Sequence, residues 1–479
     1  MPSLKEKTVR GVMWSSIDRF SSQGIQFLFS ILIARLLLPS DYGVVAMLNI
    51  FLAVSQAFVD SGFGAALIRK QDRTETDFST VFYFNIAVGL FFYAVLWVAA
   101  PAIAAFYEIP LLTDVTRVVA LSFVFSAFSG VQRARLSIAI DFKTGAKISI
   151  ITTTVTGVAG LWMAYNGFGV WALAIQQAFT ALLRTVLLWA YVRWKPQLVF
   201  SWKSFREMFS FGSKLLASAL LDTIYGNLYT LVVGKAFSSQ ALGLYSRAGS
   251  FVQFPSSNLT GVLQNVTFPV LSSIQNEPER LAGAYRRFLC LSAFVIFPLM
   301  VGMAAVADPL VRIVLTDKWS GTIYLLQILC FGLMWYPIHA INLNLLQVKG
   351  RSDFFLKLEV VKKVQGVIIL CATLPLGLVA MCYGQVAGSL LSLIYNTYYT
   401  KKLIGYGYFA QMRDLLHILL LSLAMGVAVW ITVQVLPSYW LQLAFGTVVG
   451  AVFYIGVAKL LHFEEWGELV DLIRKKGKY

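Results

Sequence analysis

The chain carries little charge for its length. Of its 479 residues only 13% are Asp, Glu, Lys or Arg, whereas a typical soluble domain has about 25%. Hydrophobic residues make up 58% of the chain and the mean hydropathy is +0.72. This balance excludes an ordinary soluble domain. It predicts an all-α polytopic membrane protein, because helices satisfy their own backbone hydrogen bonds inside a bilayer.

Motifs for catalysis and metal binding are also missing. The four cysteines show no CxxC spacing, and none of His339, His417 and His462 has a second metal ligand at a suitable spacing. No Walker, GxGxxG or GxSxG pattern occurs. We therefore predict a protein that is not an enzyme and that holds no metal and no cofactor. Any energy it uses would come from an ion gradient or from the membrane potential.

Long apolar segments are abundant. A bilayer core needs about 20 mainly apolar residues per helix, and this criterion predicts about fourteen transmembrane helices. They lie near residues 13–37, 43–68, 79–106, 115–136, 147–165, 169–192, 209–235, 242–267, 287–307, 322–347, 359–380, 382–400, 414–436 and 440–461. Three of the predicted breaks depend on turn-forming residues, at 165–167, 381–384 and 437–438.

Basic residues alternate with these segments. Most of the 39 Lys and Arg residues fall in every second connection, and the connections between hold few. Basic loops face the cytoplasm, so both termini are predicted to be cytoplasmic. The topology explains the net charge of +16 without nucleic acid as a partner and leaves membrane lipids as the surroundings.

One stretch of the chain occurs twice. LIARLLLPSDYG at 32–43 is echoed by VVGKAFSSQALG at 232–243, with Arg35 matched by Lys235 and Gly43 by Gly243. The two copies begin six spans apart and therefore enter from the same face, which indicates a parallel repeat. We expect a six-helix lobe at 1–200, a second at 201–405, and a helical hairpin with a basic tail at 406–479.

Both copies carry a polar stripe on one helical face. The first stripe consists of Ser15, Arg19, Ser22, Gln26 and Ser30, and the second of Ser218, Asp222, Tyr225 and Tyr229. Two such stripes predict helices that face one another across a polar interior. The alternative is a structural seam held by hydrogen bonds.

Charged residues within the spans are candidate functional groups, because a charge in the bilayer centre costs at least about 2.5–3.5 kcal/mol. The predicted substrate-binding residues are Arg19, Arg184, Lys214, Arg247, Ser22, Gln26 and Tyr225. Basic groups outnumber acids here, which favours an anionic headgroup such as a diphosphate. Asp60, Asp222 and Asp18 are candidates for ion coupling or for pairing with a neighbouring Arg. Arg35 and Lys235 are expected at the outer rim, as gate contacts or snorkelling anchors.

Several short motifs together resemble one family. They are SLKEKTVRGVMWSSI at 3–17, LIARLLLPSDYG, the Asp60-x-Gly62 ending of the second span, Arg133 with Phe142, FPVLSSIQNEPERLAGAY at 268–285 and DKW at 317–319. Their order and spacing resemble Wzx-type lipid-linked oligosaccharide flippases, on the branch of the colanic acid exporter. This superfamily also contains multidrug antiporters and peptidoglycan lipid flippases.

The resemblance implies two lobes in a MATE-like V shape and alternating access in a bacterial inner membrane. It implies a polyprenyl-diphosphate-linked glycan for surface polysaccharide as the substrate, and leaves polysaccharide polymerase machinery open as a partner. Arg35, Asp60, Gly62 and Arg133 match family positions. The Asp18–Arg19 pair departs from the family pattern and is a candidate for specificity toward this substrate.

Three other functions fit the composition. A cation-coupled small-molecule exporter of the same superfamily predicts that acids dominate the interior, whereas basic residues outnumber them. A membrane-embedded polymerase or ligase usually needs a sizeable outer loop, and the connections here are short. A lipid-headgroup scaffold without transport leaves the doubled stripe unexplained.

The predicted topology is testable at the turn between the last two spans. Ser438→Cys, placed in a variant without the native cysteines, should react with a membrane-impermeant maleimide added outside intact cells. Lys203→Cys, in a predicted cytoplasmic connection, is the matched control and should react only after lysis. Labelling of Ser438→Cys only after lysis would contradict the predicted topology.

Overall fold

The computed structural model describes residues 4–60 and 62–476. Side chains are described for Trp14 and from residue 21 to Asp471, apart from those of residues 61, 211 and 214. Within this part of the chain all regular structure is helical, as predicted. The α-helices are α1 Leu4–Leu36, α2 Pro39–Asp60, α3 Phe63–Arg69, α4 Glu75–Tyr107, α5 Leu112–Ala127, α6 Gly130–Ile138, α7 Phe142–Tyr165, α8 Val170–Val192, α9 Trp202–Ala236, α10 Ser239–Ser273, α11 Pro278–Ala305, α12 Ala307–Leu315, α13 Thr322–Leu333, α14 Tyr336–Val348, α15 Ser352–Thr373, α16 Leu378–Ile404, α17 Tyr408–Val435, α18 Tyr439–Leu460 and α19 Glu464–Lys476.

Local chemistry sets several helix ends. Thr74 and Asp77 form a capping box at the start of α4, in which each side chain accepts a hydrogen bond from the other residue's backbone N–H. Pro278 occupies the first turn of α11, where its missing N–H costs nothing. Gly405 ends α16 with a φ of 71°, a conformation that glycine adopts without strain.

Ten helices in the described residues are long and apolar enough to cross a bilayer, or eleven if the bent pair α5 and α6 forms one span. The segment Pro39–Arg69, which contains α2 and α3, counts as one of the ten. All fourteen predicted segments coincide with helices, but α1, α10 and α15 are not among the ten. The total of fourteen spans therefore stays a prediction.

Two of the three predicted breaks are confirmed. Residues 166–169 separate α7 from α8, and residues 436–438 separate α17 from α18. The break predicted at 381–384 is wrong, because α16 runs straight through it and the chain turns at 374–377. Pro375 has no N–H to continue α15, and Gly377 has a φ of 96° that favours glycine.

The chain divides into two compact units, Met1–Gly243 and Leu244–Tyr479. In the first unit α1 packs on α7, α5 packs on α4 and α8, and α2 packs on α9. In the second, α11 packs on α13, α14 and α17, and α17 packs on α18. The domain limits predicted at residues 200 and 405 follow the sequence repeat rather than these contacts and stay predictions.

The two copies of the repeat meet at their glycines. A Cβ atom on Gly43 would lie 1.7 Å from the backbone oxygen of Ser239, and a Cβ atom on Gly243 would lie 1.8 Å from the backbone oxygen of Pro39. The contact is reciprocal, since each glycine packs against the residue four positions before the other. The backbones of α2 and of the first turn of α10 therefore touch directly, and only glycine fits at either position.

This crossing predicts a large effect of one added methyl group. Gly43→Ala should lower the free energy of unfolding by at least about 1–3 kcal/mol, because the backbones must move apart. Gly249→Ala, in the same helix as Gly243 but with open space around its Cβ, is the control and should have no such cost. Thermal unfolding of the purified protein in detergent measures both variants. Equal melting temperatures for the two would contradict the crossing.

Candidate functional site

A small polar cavity lies where two helix breaks meet in the first unit. One break separates α2 from α3 after Asp60, and the other separates α5 from α6 with a bend of 43°. The cavity has a volume of about 190 Å³. Its polar lining consists of Asp60, Asn85, Ser126, Arg133 and Ser137.

Asp60 and Arg133 form an ion pair at this cavity. The Nη2 atom of Arg133 lies 3.4 Å from Oδ1 of Asp60, and both side chains are about half exposed. The Nε2 atom of Gln56 donates to Oδ2 of Asp60 over 3.0 Å. Of the two roles predicted for Asp60, these contacts favour that of a charge partner. The family resemblance contains Asp60 and Arg133 as separate motifs, and the fold places them together.

Gly62 explains the rest of the Asp60-x-Gly62 motif. Its φ is 69°, in the left-handed region, and a Cβ atom there would lie 3.0 Å from the Cα atom of Gly212 in α9. Glycine thus serves both the turn between α2 and α3 and the close approach of α9. The motif positions the carboxylate of Asp60 at the end of α2.

Three charged residues join α3, α4 and α9 on the side of the chain predicted to be cytoplasmic. The Nζ atom of Lys70 lies 3.2 Å from Oδ1 of Asp77 and 3.1 Å from Oε2 of Glu207. Burial alone would lower the pKa of Lys70, but the hydrogen bonds to Glu207 and Asp77 outweigh burial and raise it. Asp77 is 1% exposed, whereas Glu207 lies largely in the open. The sequence prediction missed this cluster, although TETD at 74–77 has the spacing of a capping box.

Lys235 lies at the end of α9 that is predicted to face outside. Its Nζ atom lies 3.0 Å from Oε1 of Glu108 and 5.2 Å from the centre of the Phe106 ring. These contacts join the C-terminal ends of α9 and α4. Arg35 is exposed at the equivalent end of α1. This placement suits a role at the outer rim or in a gate for both residues. That role stays a prediction.

The predicted substrate-binding residues lie on several helices. The side chains of Asp18, Arg19 and Lys214, together with that of Ser15, lie outside the described residues. The remaining candidates are described. Ser22, Arg184 and Tyr225 are partly buried, and Gln26 and Asp222 are exposed. Their roles stay predictions.

Arg247 is the most deeply buried of the candidates whose side chains are described. It is 5% exposed, and its guanidinium lies 5.4 Å from the centre of the Trp319 ring. Trp319 itself is fully buried in the short 3₁₀ turn Asp317–Trp319, which is the DKW motif. A cation over an indole ring is stabilising, so this contact gives Arg247 a packing role. Its predicted role in substrate binding remains untested.

A second polar cluster, in the second unit, was not predicted from the sequence. Oδ2 of Asp414 lies 2.6 Å from Nε of Arg286 and accepts a hydrogen bond from the Tyr406 hydroxyl over 2.6 Å. Burial raises the pKa of Tyr406, and the hydrogen bond to Asp414 raises it further, so the phenol stays protonated and donates. The sequence offered one signal for this cluster: Asp414 is an acidic residue at the start of a predicted span, next to the basic Arg413.

Comparison with protein families gives one match across most of the chain. Residues 32–324 match a model described as "Polysaccharide biosynthesis protein". Teichuronic acid biosynthesis protein TuaB of Bacillus subtilis is 25% identical over 430 residues, or 89% of each chain. Lipopolysaccharide biosynthesis protein WzxC of Escherichia coli is 26% identical, over 82% of this chain and 80% of that protein. Succinoglycan biosynthesis transport protein ExoT of Rhizobium meliloti is 24% identical, over 99% and 97%.

Two solved structures share the fold. The lipid II flippase MurJ in an inward closed conformation matches with a TM-score of 0.76 and 14% identity, over 94% of this chain and 99% of that one. An inward-facing multidrug resistance transporter of the MATE family matches with a TM-score of 0.62 and 14% identity, over 81% and 98%. At this identity the likeness concerns the fold alone.

The cluster around Lys70 predicts unequal effects for its two acids. Asp77→Ala should lower the free energy of unfolding by about 3–5 kcal/mol, because it leaves a largely buried ammonium without its buried partner. Glu207→Gln, at the exposed end, should cost less than about 1 kcal/mol. Thermal unfolding in detergent compares the two. A larger effect of Glu207→Gln would contradict the structure.

Proposed function

We propose that this chain, which belongs to the family of polysaccharide biosynthesis proteins, flips a lipid-linked oligosaccharide from the cytoplasmic to the outer leaflet of a membrane. The family model covers more than half of the chain, and the similarity to a Wzx protein and to a polysaccharide transport protein extends over most of it. The chain is a multi-pass membrane transporter and not an enzyme. The predicted Wzx-type family is confirmed.

One observation carries the proposal. A chain similar in sequence to succinoglycan transport protein over 99% of its length also has the fold of a lipid II flippase over 94% of its length. The first similarity points to the glycan and the second to the lipid. A polyprenyl diphosphate that bears a glycan combines both.

The finer assignments rest on the distribution of charge. Basic connections on one side support an inner membrane location with both termini in the cytoplasm. The diphosphate would bind Arg19, Arg184 and Lys214, because guanidinium and ammonium groups bind phosphate oxygens strongly in a dry site. Asp222 remains the candidate for ion coupling, since the contacts of Asp60 favour a charge partner. Polysaccharide polymerase machinery would take up the flipped product.

A cation-coupled exporter of small molecules is the second candidate, because the MATE transporter shares the fold. The sequence similarities point to glycan transport instead. The two functions differ in what accumulates in the cell when the protein is absent. An exporter leaves its small molecule in the cytoplasm, and a flippase leaves its lipid in the inner leaflet.

Deletion of the gene tests the proposal. Cells without the protein should lose one surface polysaccharide and accumulate the corresponding lipid-linked glycan, detected by mass spectrometry of lipid extracts. The parent gene and Lys195→Gln, an exposed connection residue, should restore the polysaccharide. The double variant Arg184→Gln and Lys214→Gln should restore it at least tenfold less well at equal protein levels. Unchanged surface polysaccharide and no accumulated lipid in the deletion strain would contradict the proposal.

A further inference from the structure

The connection between α8 and α9 exposes a cluster of large apolar side chains. Leu198 is 95% exposed, and Trp202, the first residue of α9, is 73% exposed. Val199 and Phe200 between them are 45% and 42% exposed. Unlike the exposed apolar residues of the spans, these four lie in and beside a connection without regular structure. Exposed apolar patches of this kind mark sites that bind a protein or a membrane. We call these four residues the linker patch.

Hydrogen bonds fix the backbone of this connection against α4. The backbone N–H of Gln197 donates to Oγ of Ser79 over 2.9 Å, and that of Ser201 donates to Oγ1 of Thr80 over 3.1 Å. Ser79 and Thr80 are both fully buried. The two bonds lie on either side of residues 198–200, whose side chains point away from the helices and into the open. The fold of the first unit therefore holds the linker patch in place, with its apolar groups outward.

The linker patch follows directly after a helix that is long enough to cross the bilayer. Helix α8 has 23 residues and ends at Val192, so that it is about 35 Å long, close to the thickness of about 30 Å of a bilayer core. Tyr191 at this end is exposed, and the rings of Phe200 and Trp202 pack edge to face with centroids 5.4 Å apart. Trp and Tyr concentrate at membrane interfaces. The bilayer surface is therefore the nearest partner for the patch.

The charge beside the linker patch is positive. Residues 193–206 include no acidic residue, and the next residue, Glu207, pairs with Lys70 over 3.1 Å. Lys203 and Arg206 in the first two turns of α9 are both exposed. Arg206 lies four residues after Trp202 and so shares its helical face. Apolar side chains flanked by exposed basic ones are the combination that binds the headgroups of anionic lipids.

We propose that the linker patch is an anchor that binds anionic phospholipids in the leaflet on the side predicted to be cytoplasmic. Leu198 and Trp202 reach the upper part of the acyl chains. Lys203 and Arg206 contact the lipid phosphates and lay their aliphatic stems along the apolar surface. Because the connection is bonded to α4 and joins α8 to α9, the anchor fixes the depth of these three helices in the bilayer. The proposal does not depend on which substrate the protein moves.

Quenching by labelled lipids tests the anchor in the full-length protein in nanodiscs. Leu198→Cys, in a variant without the native cysteines, carries an environment-sensitive fluorophore. Asn276→Cys is the matched control, because it is exposed in the turn between α10 and α11 and its neighbours Gln275 and Glu277 are polar. The nanodiscs contain phosphatidylglycerol or phosphatidylcholine with a nitroxide quencher near the top of one acyl chain, at equal mole fractions in the same background of lipids.

Both labelled lipids should quench the fluorophore at residue 198 and neither should quench it at residue 276. Phosphatidylglycerol should quench at least about twofold more strongly than phosphatidylcholine, because basic residues near the surface attract anionic lipids. Lys203→Gln together with Arg206→Gln should abolish this difference and keep the quenching by phosphatidylcholine. Val199→Cys supplies a second label position with the same expected behaviour.

Three results would overturn the proposal. Unquenched, water-like emission from both label positions of the linker patch would show that it faces the aqueous phase, where a soluble partner would cover it. Equal quenching by the two lipids would overturn the binding of anionic headgroups. A preference for phosphatidylglycerol that persists in the double variant would overturn the role of Lys203 and Arg206.

Discussion

A polar group within a bilayer has no water to bind, and this constraint explains where the chain keeps its charges. The buried carboxylates of Asp77 and Asp414 each accept from a basic side chain and from at least one hydroxyl group. At the break between α5 and α6, in contrast, Asn85 and Arg133 keep buried polar atoms at a cavity wall. Asp60 and Arg133, which line that cavity, pair with each other across the two helix breaks.

Glycine occurs where helices approach one another too closely for any side chain to fit between them. Gly43 and Gly243 allow two copies of one repeat to touch backbone to backbone, and Gly62 lets the end of α2 turn against α9. Each of these glycines belongs to a motif visible in the sequence. Their packing explains why the motifs contain glycine, and the turn at Gly62 positions the nearby carboxylate of Asp60 at the end of α2.

The helical fold could be predicted from the sequence, because hydrophobic runs mark the segments that cross a bilayer and basic residues mark the connections on its cytoplasmic side. The sequence failed as a guide at residues 381–384, whose MCYG sequence contains a glycine that favours turns, whereas the true break at Pro375 and Gly377 lay inside an apolar stretch. It also could not pair Asp60 with Arg133, which are 73 residues apart. Such contacts depend on which helices pack together, and hydropathy contains no information about that.

The central claim is that this protein moves a glycan-bearing lipid between leaflets. The most direct measurement reconstitutes the purified chain in liposomes that contain its lipid-linked glycan with a fluorescent label on the sugar. A membrane-impermeant quencher then reports the fraction of label on the outside over time. Vesicles with the protein should expose the inner pool of label faster than vesicles with an unrelated membrane protein. Equal rates in the two preparations, under an imposed ion gradient and membrane potential as well as without them, would contradict the claim.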